Sequence, residues 1–331
     1  MALPLSPSLD TAPGLLSPEV WPKGTVWHYT TAAGLAGMVQ ENVLWASSAA
    51  FMNDRHELTG HALFRDLFNR HMNEVDPRIN GGVQFALDSA LRTDRYRTFI
   101  ACASKAPDNL TLWRNYTGPE VGFAVALDAS QPLSMRRQRP LTEEMIQRVG
   151  YVNEEDNQEL RKRAAEGIDP FGWREAVYTL GEKKEAAWQA ILDIEDAVSS
   201  HWEDRRPRPR KDDLTAMADV AQVIQIFKHE AFKDEQEMRI VCGAPMHADL
   251  MYLKHRPGRY GIIPYVELGL PENSSQELNG RPEPMKKLPI LGVAVGPTPY
   301  PDEATAGVRE LLRSLGNATT AVIPSQVPFR T

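Results

Sequence analysis

Lys228-His229-Glu230-Ala231-Phe232-Lys233-Asp234-Glu235-Gln236-Glu237-Met238-Arg239-Ile240-Val241 reads as a helix end feeding a strand that begins with Glu-x-Glu. Side chains two apart share one face of a strand, so Glu235 and Glu237 are expected side by side, roughly 6.5 to 7 Å apart, with Arg239 next in line. Two carboxylates are costly to bury unless paired, and Arg239 can pair only one of them well. The other is then available for chemistry on a cation or a sugar. The competing reading is an edge strand with a solvated charged face.

Around this stretch the chain alternates strand and helix signals. Val26 to Tyr29 reads as a strand, Ala32 to Glu41 as a helix started by Thr30 or Thr31, and Val43 to Ala46 as a second strand. Helical spacing follows Asn53-Asp54 to about Asn73 and again from about Gly82 to Leu91. Thr98 to Ala103 and Val121 to Leu127 are apolar and partly β-branched, and they flank an amphipathic turn or helix at Leu110 to Tyr116. From about 154 to 230 the residues are those of helices, broken at Gly167 to Pro170 and at the basic run Arg205 to Lys211. Strands return at Glu237 to Cys242, Tyr260 to Leu268 and Leu291 to Val295. A helix from about Asp302 to Leu315 and a last strand at Thr320 to Ile323 follow, while Pro271 to Pro289 reads as a long loop. Strands from both ends of the chain are needed to complete one sheet. The expectation is therefore a flexible segment at 1–22 and a single α+β domain over 23–331, with a helical insertion at about 154–230.

Composition narrows the function classes. The 331 residues are 42% hydrophobic and 24% charged, which suits a core-forming chain. Thirty-seven basic against 44 acidic residues give a net charge of −7, so a polyanion would have to be met by a local basic patch. Cys102 and Cys242 sit in apolar strand-like runs and read as reduced core thiols of a cytoplasmic protein. The N-terminal stretch lacks the basic and apolar regions of a secretory signal, and nowhere do about 18 apolar residues run together, so neither secretion nor membrane spanning is expected.

Several further motifs carry chemistry. In Trp27-His28-Tyr29-Thr30-Thr31, alternation puts Val26, His28 and Thr30 on one face and Trp27 and Tyr29 on the other. A strand histidine followed by two threonine hydroxyls suits holding a ribose hydroxyl or an amide, though a structural histidine is the commoner case. Asn53-Asp54 with Glu57 has capping-box spacing; the functional alternative puts Asn53 or Asp54 in a cleft. Trp113 and Tyr116 share a helical face, either as core or as a wall against a planar ring. His56 and His61 are five apart, about 140° round a helix, which argues against a zinc site. The glycine loops of Rossmann and P-loop proteins and the Gly-x-Ser-x-Gly elbow are missing from the sequence.

As a set, Trp27-His28-Tyr29-Thr30, Phe51-Met52-Asn53-Asp54 with Glu57, Phe99 to Ser104 leading to Trp113-x-x-Tyr116 and Gly122-Phe123, the Lys228 to Arg239 stretch, Val293-x-Val295-Gly296-Pro297 and Ser325-x-x-Pro328-Phe329-Arg330 resemble a bacterial domain of unknown function, family 2971. A weaker resemblance names a reaction. A histidine on an early strand, an aromatic in the middle and a late strand with Glu-x-Glu look like the cores of ADP-ribosyltransferases. That resemblance implies a split mixed sheet flanked by helices, with NAD as substrate in a cleft between the sheets and no metal.

On that resemblance His28 would hold the adenosine-side ribose and the nicotinamide amide, and Tyr116, or else Trp113, would stack on the nicotinamide ring. Glu237 would stabilise the oxocarbenium-like charge as nicotinamide leaves, and Glu235 would orient or deprotonate the acceptor. The catalytic candidates are thus Glu237, Glu235 and His28, and the NAD-binding candidates His28, Tyr29, Thr30, Asn53, Trp113, Tyr116 and Arg239. Superfamily members with Glu-x-Glu usually carry arginine rather than histidine in the first motif, so the resemblance leaves the acceptor open. The implied partners are a macromolecular acceptor, protein or nucleic acid, and a neutralising partner protein if the chain is a toxin-like or antiphage effector. The alternatives are a metal-dependent nuclease or phosphoesterase using Asp54, Glu57, Glu235 and Glu237, and a non-catalytic sensor docking through the helical insertion.

Overall fold

The computed structural model describes residues 16–52, 58–91, 98–139, 142, 144, 170–199, 219–243, 251–258, 260–271 and 285–328. Within them the chain is a mixed α/β fold built on a large open sheet flanked by helices. The strands are β1 Thr25–Thr30, β2 Leu44–Ser48, β3 Thr98–Ser104, β4 Phe123–Asp128, β5 Ser134–Met135, β6 Arg174–Glu175, β7 Glu237–Gly243, β8 Lys254–Gly258, β9 Gly261–Pro271, β10 Met285–Lys286, β11 Ile290–Val295 and β12 Ala321–Pro324. The helices are α1 Ala32–Glu41, α2 Leu58–His71, α3 Asn80–Leu91, α4 Leu110–Tyr116, α5 Leu180–Ser199 and α6 Pro301–Ser314. The strand order is β10-β9-β2-β3-β1-β4-β11-β12, antiparallel except for the parallel β11–β12 pair, which makes the sheet mixed.

The sheet forks at β3. One edge of β3 pairs with β7 along its whole length, from Thr98 opposite Gly243 to Ser104 opposite Glu237. Its other edge is shared: β2 takes Phe99 and Ile100, and β1 takes only Ser104. β1 and β2 therefore diverge from a common neighbour, and the backbone between Ile100 and Ser104 faces the opening.

Alternation assigns the cores. Val26, Phe99, Ala101, Val125, Leu127, Ile240 and Val266 face one side, packed with Leu35 and Met38 of α1 and Val308 and Leu312 of α6. On the other side Trp27, Ala124, Ala126 and Ala294 pack against Leu112 and Trp113 of α4. Phe64 and Phe68 of α2, Val83 and Leu87 of α3, Ala190, Ile191 and Ile194 of α5, and Val241 of β7 form a further cluster there.

Among the described residues the expected elements recur with four corrections. Glu235 does not belong to the strand: residues Glu230–Glu235 form a 3₁₀ turn, and Gln236, with φ +44°, reverses the chain before β7 starts at Glu237. The insertion is not wholly helical, because β6 pairs with β7 and Phe171 bridges Leu133; residues 154–169 and 200–218, with the basic run, lie outside the described residues. Of the segment expected to be flexible, residues 16–22 are described, and Leu16 and Trp21 among them are buried, while residues 1–15 lie outside the described residues. The loop read over Pro271 to Pro289 contains β10 at the end of β9.

Trp21 stands edge-on to Trp27, with ring centroids 4.9 Å apart. It also presses on Gly292 of β11, where an added Cβ would lie 2.8 Å from Cζ3 of Trp21 and 3.3 Å from the Ala321 carbonyl. Gly292→Ala is therefore expected to lose about 1 to 3 kcal/mol by forcing the indole or β12 aside, measurable as a lower thermal midpoint. An unchanged midpoint would show that Trp21 is loosely seated.

Candidate active site

The start of β7 gathers four charges. The apolar run ending at Phe227 bridges Val177, and the Lys228 N–H donates to the Val177 carbonyl at 2.9 Å, which delivers the Lys228 side chain inward. Its ammonium donates to Glu235 and to Glu237. Arg239 forks onto Glu237, Nε to Oε1 at 3.1 Å and Nη2 to Oε2 at 3.2 Å, and its Nη1 donates to the Gln225 carbonyl at 2.5 Å. Glu235, 3% exposed, also accepts from the Tyr116 hydroxyl at 3.1 Å, while the Glu237 N–H donates to the Tyr178 hydroxyl at 2.8 Å. Two carboxylates and two cations thus neutralise one another inside the protein.

The balance sets the ionisation. Burial opposes the Glu237 charge, but Arg239 and then Lys228 outweigh it and hold its carboxyl down to about 2. Burial likewise opposes the Lys228 ammonium, and the charge of Glu237 overcomes it, so Lys228 is raised. Burial raises the Tyr116 and Tyr178 hydroxyls and, together with the Glu237 charge, pushes the Cys102 thiol well up. At neutral pH these three groups stay protonated beside the ionised Glu237 carboxylate.

His28 sits at the fork. Its Nδ1 lies 2.7 Å from the Cys102 carbonyl, the part of β3 that neither β1 nor β2 covers. A carbonyl only accepts, so Nδ1 carries the proton, and Nε2 keeps its lone pair while the ring is neutral. Burial lowers the imidazole's basicity against the opposing hydrogen bond to Cys102. Taken as a whole residue, His28 is half-buried.

The register puts His28 and Glu237, both expected to line one NAD cleft, on opposite faces of the sheet. Trp27 lies opposite Ser104, and Ser104 opposite Glu237, so Glu237 shares a face with Trp27 and Tyr29, and His28 takes the other. The two meet only across Cys102, whose carbonyl holds the imidazole and whose thiol adjoins Glu237.

The remaining candidates divide. Tyr29 is structural in its contacts: its hydroxyl donates to the Ala106 carbonyl and accepts from the Asn109 N–H, and its ring stands edge-on to Trp113. Trp113 is buried, with its indole N–H on Asp108 at 2.7 Å. Tyr116 is 41% exposed and presents ring surface beside the carboxylates. Thr31 caps α1 by accepting from the Gly34 N–H, and the Thr30 side chain lies against Gly34. Arg239 is spent on Glu237 and Gln225. Asn53, Asp54, His56 and Glu57 lie outside the described residues.

Lys228 and Tyr178 were not singled out as site residues, because Lys228 lies just past a helix whose buried residues Val220, Val223 and Ile224 signal only core, and Tyr178 lies in an irregular segment before α5. The one available signal is a lysine directly after the largely apolar stretch Val223-Ile224-Gln225-Ile226-Phe227.

Among the described residues no group of three His, Cys, Asp or Glu side chains is arranged to hold a metal ion, and no helix is long and apolar enough to cross a membrane. No curated protein and no solved structure matches the chain. Residues 112–240, from α4 to β7 and including the Glu235, Glu237 and Lys228 cluster, match the model of a family described as a protein of unknown function, DUF2971.

Proposed function

We propose that the chain is an NAD-dependent ADP-ribosyltransferase, or an NAD-cleaving enzyme using the same groups, with Glu237 as the catalytic carboxylate. The observation that carries this reading is the juxtaposition at Cys102: a neutral imidazole on one side of β3 and an ionised glutamate on the other, at the point where the sheet opens. A dinucleotide laid across the opening would reach both. The His28 Nε2 lone pair would accept from a ribose hydroxyl or the carboxamide, and the exposed ring of Tyr116 would flank nicotinamide.

The bond that breaks joins the ribose C1′ to the nicotinamide nitrogen; the electron pair leaves with nicotinamide, and positive charge develops on the ribose. A carboxylate already ionised by Arg239 and Lys228 is available to stabilise that charge through the 2′-hydroxyl. Glu235 would take the proton of the attacking nucleophile, water or a macromolecule. The metal-dependent alternative is less well supported, because the Lys228 ammonium occupies the place between the two carboxylates that a divalent cation would need.

Nicotinamide release from NAD, measured with and without cell extract, tests the reading. Glu237→Gln should lower the rate by at least about a hundredfold while the far-ultraviolet spectrum and cooperative unfolding persist. Absence of nicotinamide with every acceptor tried, or full activity in Glu237→Gln, would overturn it.

A further inference from the structure

The segment after β12 leaves the sheet at the end where β1 finishes and β7 begins. The Ser325 N–H donates to the Val295 carbonyl at 2.6 Å, and Val327 rests on the apolar cluster of Leu112 and Trp113. Between these two anchors the chain docks on Asp108. Oδ1 of Asp108 accepts from the Ser325 hydroxyl at 2.6 Å and from the Trp113 indole N–H at 2.7 Å, and Oδ2 accepts from the Gln326 N–H at 2.9 Å. The Ser325 hydroxyl oxygen in turn accepts from the Val327 N–H at 3.1 Å. All three donors to Asp108 are neutral, and two of them come from the segment after β12. An amide at this position has a single oxygen and would face at least one of these donors with a donor of its own.

Asp108 stands at the root of α4. With seven residues that helix is too short to hold itself together, so contacts set its position. Asn109 caps it, and the Asn109 Nδ2 donates to the Asp234 carbonyl at 2.9 Å. At the other end the Tyr116 hydroxyl donates to Glu235 at 3.1 Å. Both bonds end on the turn that carries Glu235. The Asn109 N–H also donates to the hydroxyl of Tyr29, the neighbour of His28 on β1, at 3.0 Å. Asp108 thus joins the segment after β12 to the one helix that grips the turn.

We infer that residues 325–328 are a strap that controls the active site through Asp108, a positioning residue. With the strap docked, the root of α4 is fixed, and Asn109 and Tyr116 both reach the turn of Glu235. With the strap released, Asp108 keeps only the indole of Trp113, α4 loses its fixed root, and its two bonds to the turn lapse together. The Glu235 carboxylate then keeps Lys228 but no longer has a set direction. The effect on catalysis rests on the NAD reading, in which Glu235 takes the proton of the nucleophile. Release of the strap therefore slows the chemical step and leaves NAD binding unchanged.

Hydrogen exchange of the full chain, read by mass spectrometry without substrate, tests this. Asp108→Asn and Ser325→Ala should each speed exchange about three- to tenfold in residues 109–117 and 230–237, while β2 and β9 exchange as in the wild type. Ser325→Thr keeps the hydroxyl and should behave as the wild type. In the nicotinamide assay the first two variants should lower kcat about threefold or more and leave KM for NAD within about twofold. If Asp108→Asn fails to fold by circular dichroism, Ser325→Ala against Ser325→Thr carries the comparison. Wild-type exchange over 230–237 in the folded variants, faster exchange spread evenly over the sheet, or an unchanged kcat in a chain that does release nicotinamide would overturn the inference. Exchange needs no NAD, so a chain that never releases nicotinamide still decides whether the strap holds the turn, and loss of the strap proposal leaves the role of Glu237 where it stood.

Discussion

Lys228→Met is expected to lose about 3 to 5 kcal/mol of folding stability, read as a lower urea midpoint. Methionine keeps roughly the volume but removes the ammonium that both Glu235 and Glu237 accept from. Arg239 still neutralises Glu237, which leaves Glu235 buried, ionised and held only by the Tyr116 hydroxyl. The loss comes from that stranded charge rather than from the strength of the bridge itself. Adding Glu235→Gln restores neutrality and should recover part of it, because an amide oxygen still accepts from Tyr116. A single variant as stable as the wild type, or a double variant worse than the single, would contradict the charge balance.

Acid should unfold the protein through the same cluster. The Glu237 carboxyl sits at about 2 in the folded chain against an ordinary 4.5. Its folded value is the lower one, so its contribution is complete above about pH 5 and is lost as pH falls toward 2. The difference corresponds to about 3 kcal/mol. Urea titrations across that window should show stability falling steeply in the wild type and more shallowly in Glu237→Gln. Equal pH dependence in the two proteins would show that the loss originates elsewhere.

Local chemistry explains which parts of the fold were legible. α1 is found where its residues predict it, Ala32–Glu41, because Thr31 supplies a side-chain cap and Asn42 a left-handed stop. β3 and β4 are nearly continuous apolar runs, as strands buried on both faces must be. β8, Lys254–Gly258, is charged and contains Pro257, so it carries no strand signal and forms only because β9 lies beside it. The Glu-x-Glu reading failed in one respect: Gln236 adopts a left-handed conformation that period-two spacing does not reveal. Glu235 and Glu237 are brought together by Lys228 rather than by strand alternation. Alternation placed His28 on the face of Val26 and Thr30, where it is found, but its side relative to Glu237 was hidden, since it depends on which strands pair, and Trp27 opposite Ser104 is a single long-range contact.

The distance in sequence between β3 and its full-length partner β7 has a consequence for synthesis. Residues 98–104 leave the ribosome well before residues 237–243 exist to pair with them, and β2 must wait longer still for β9. A nascent chain halted between those points displays apolar edges with no partner, the condition under which intermolecular strand pairing competes with folding. Refolding from denaturant should accordingly be slow for a chain of this length, limited by the closure of long loops.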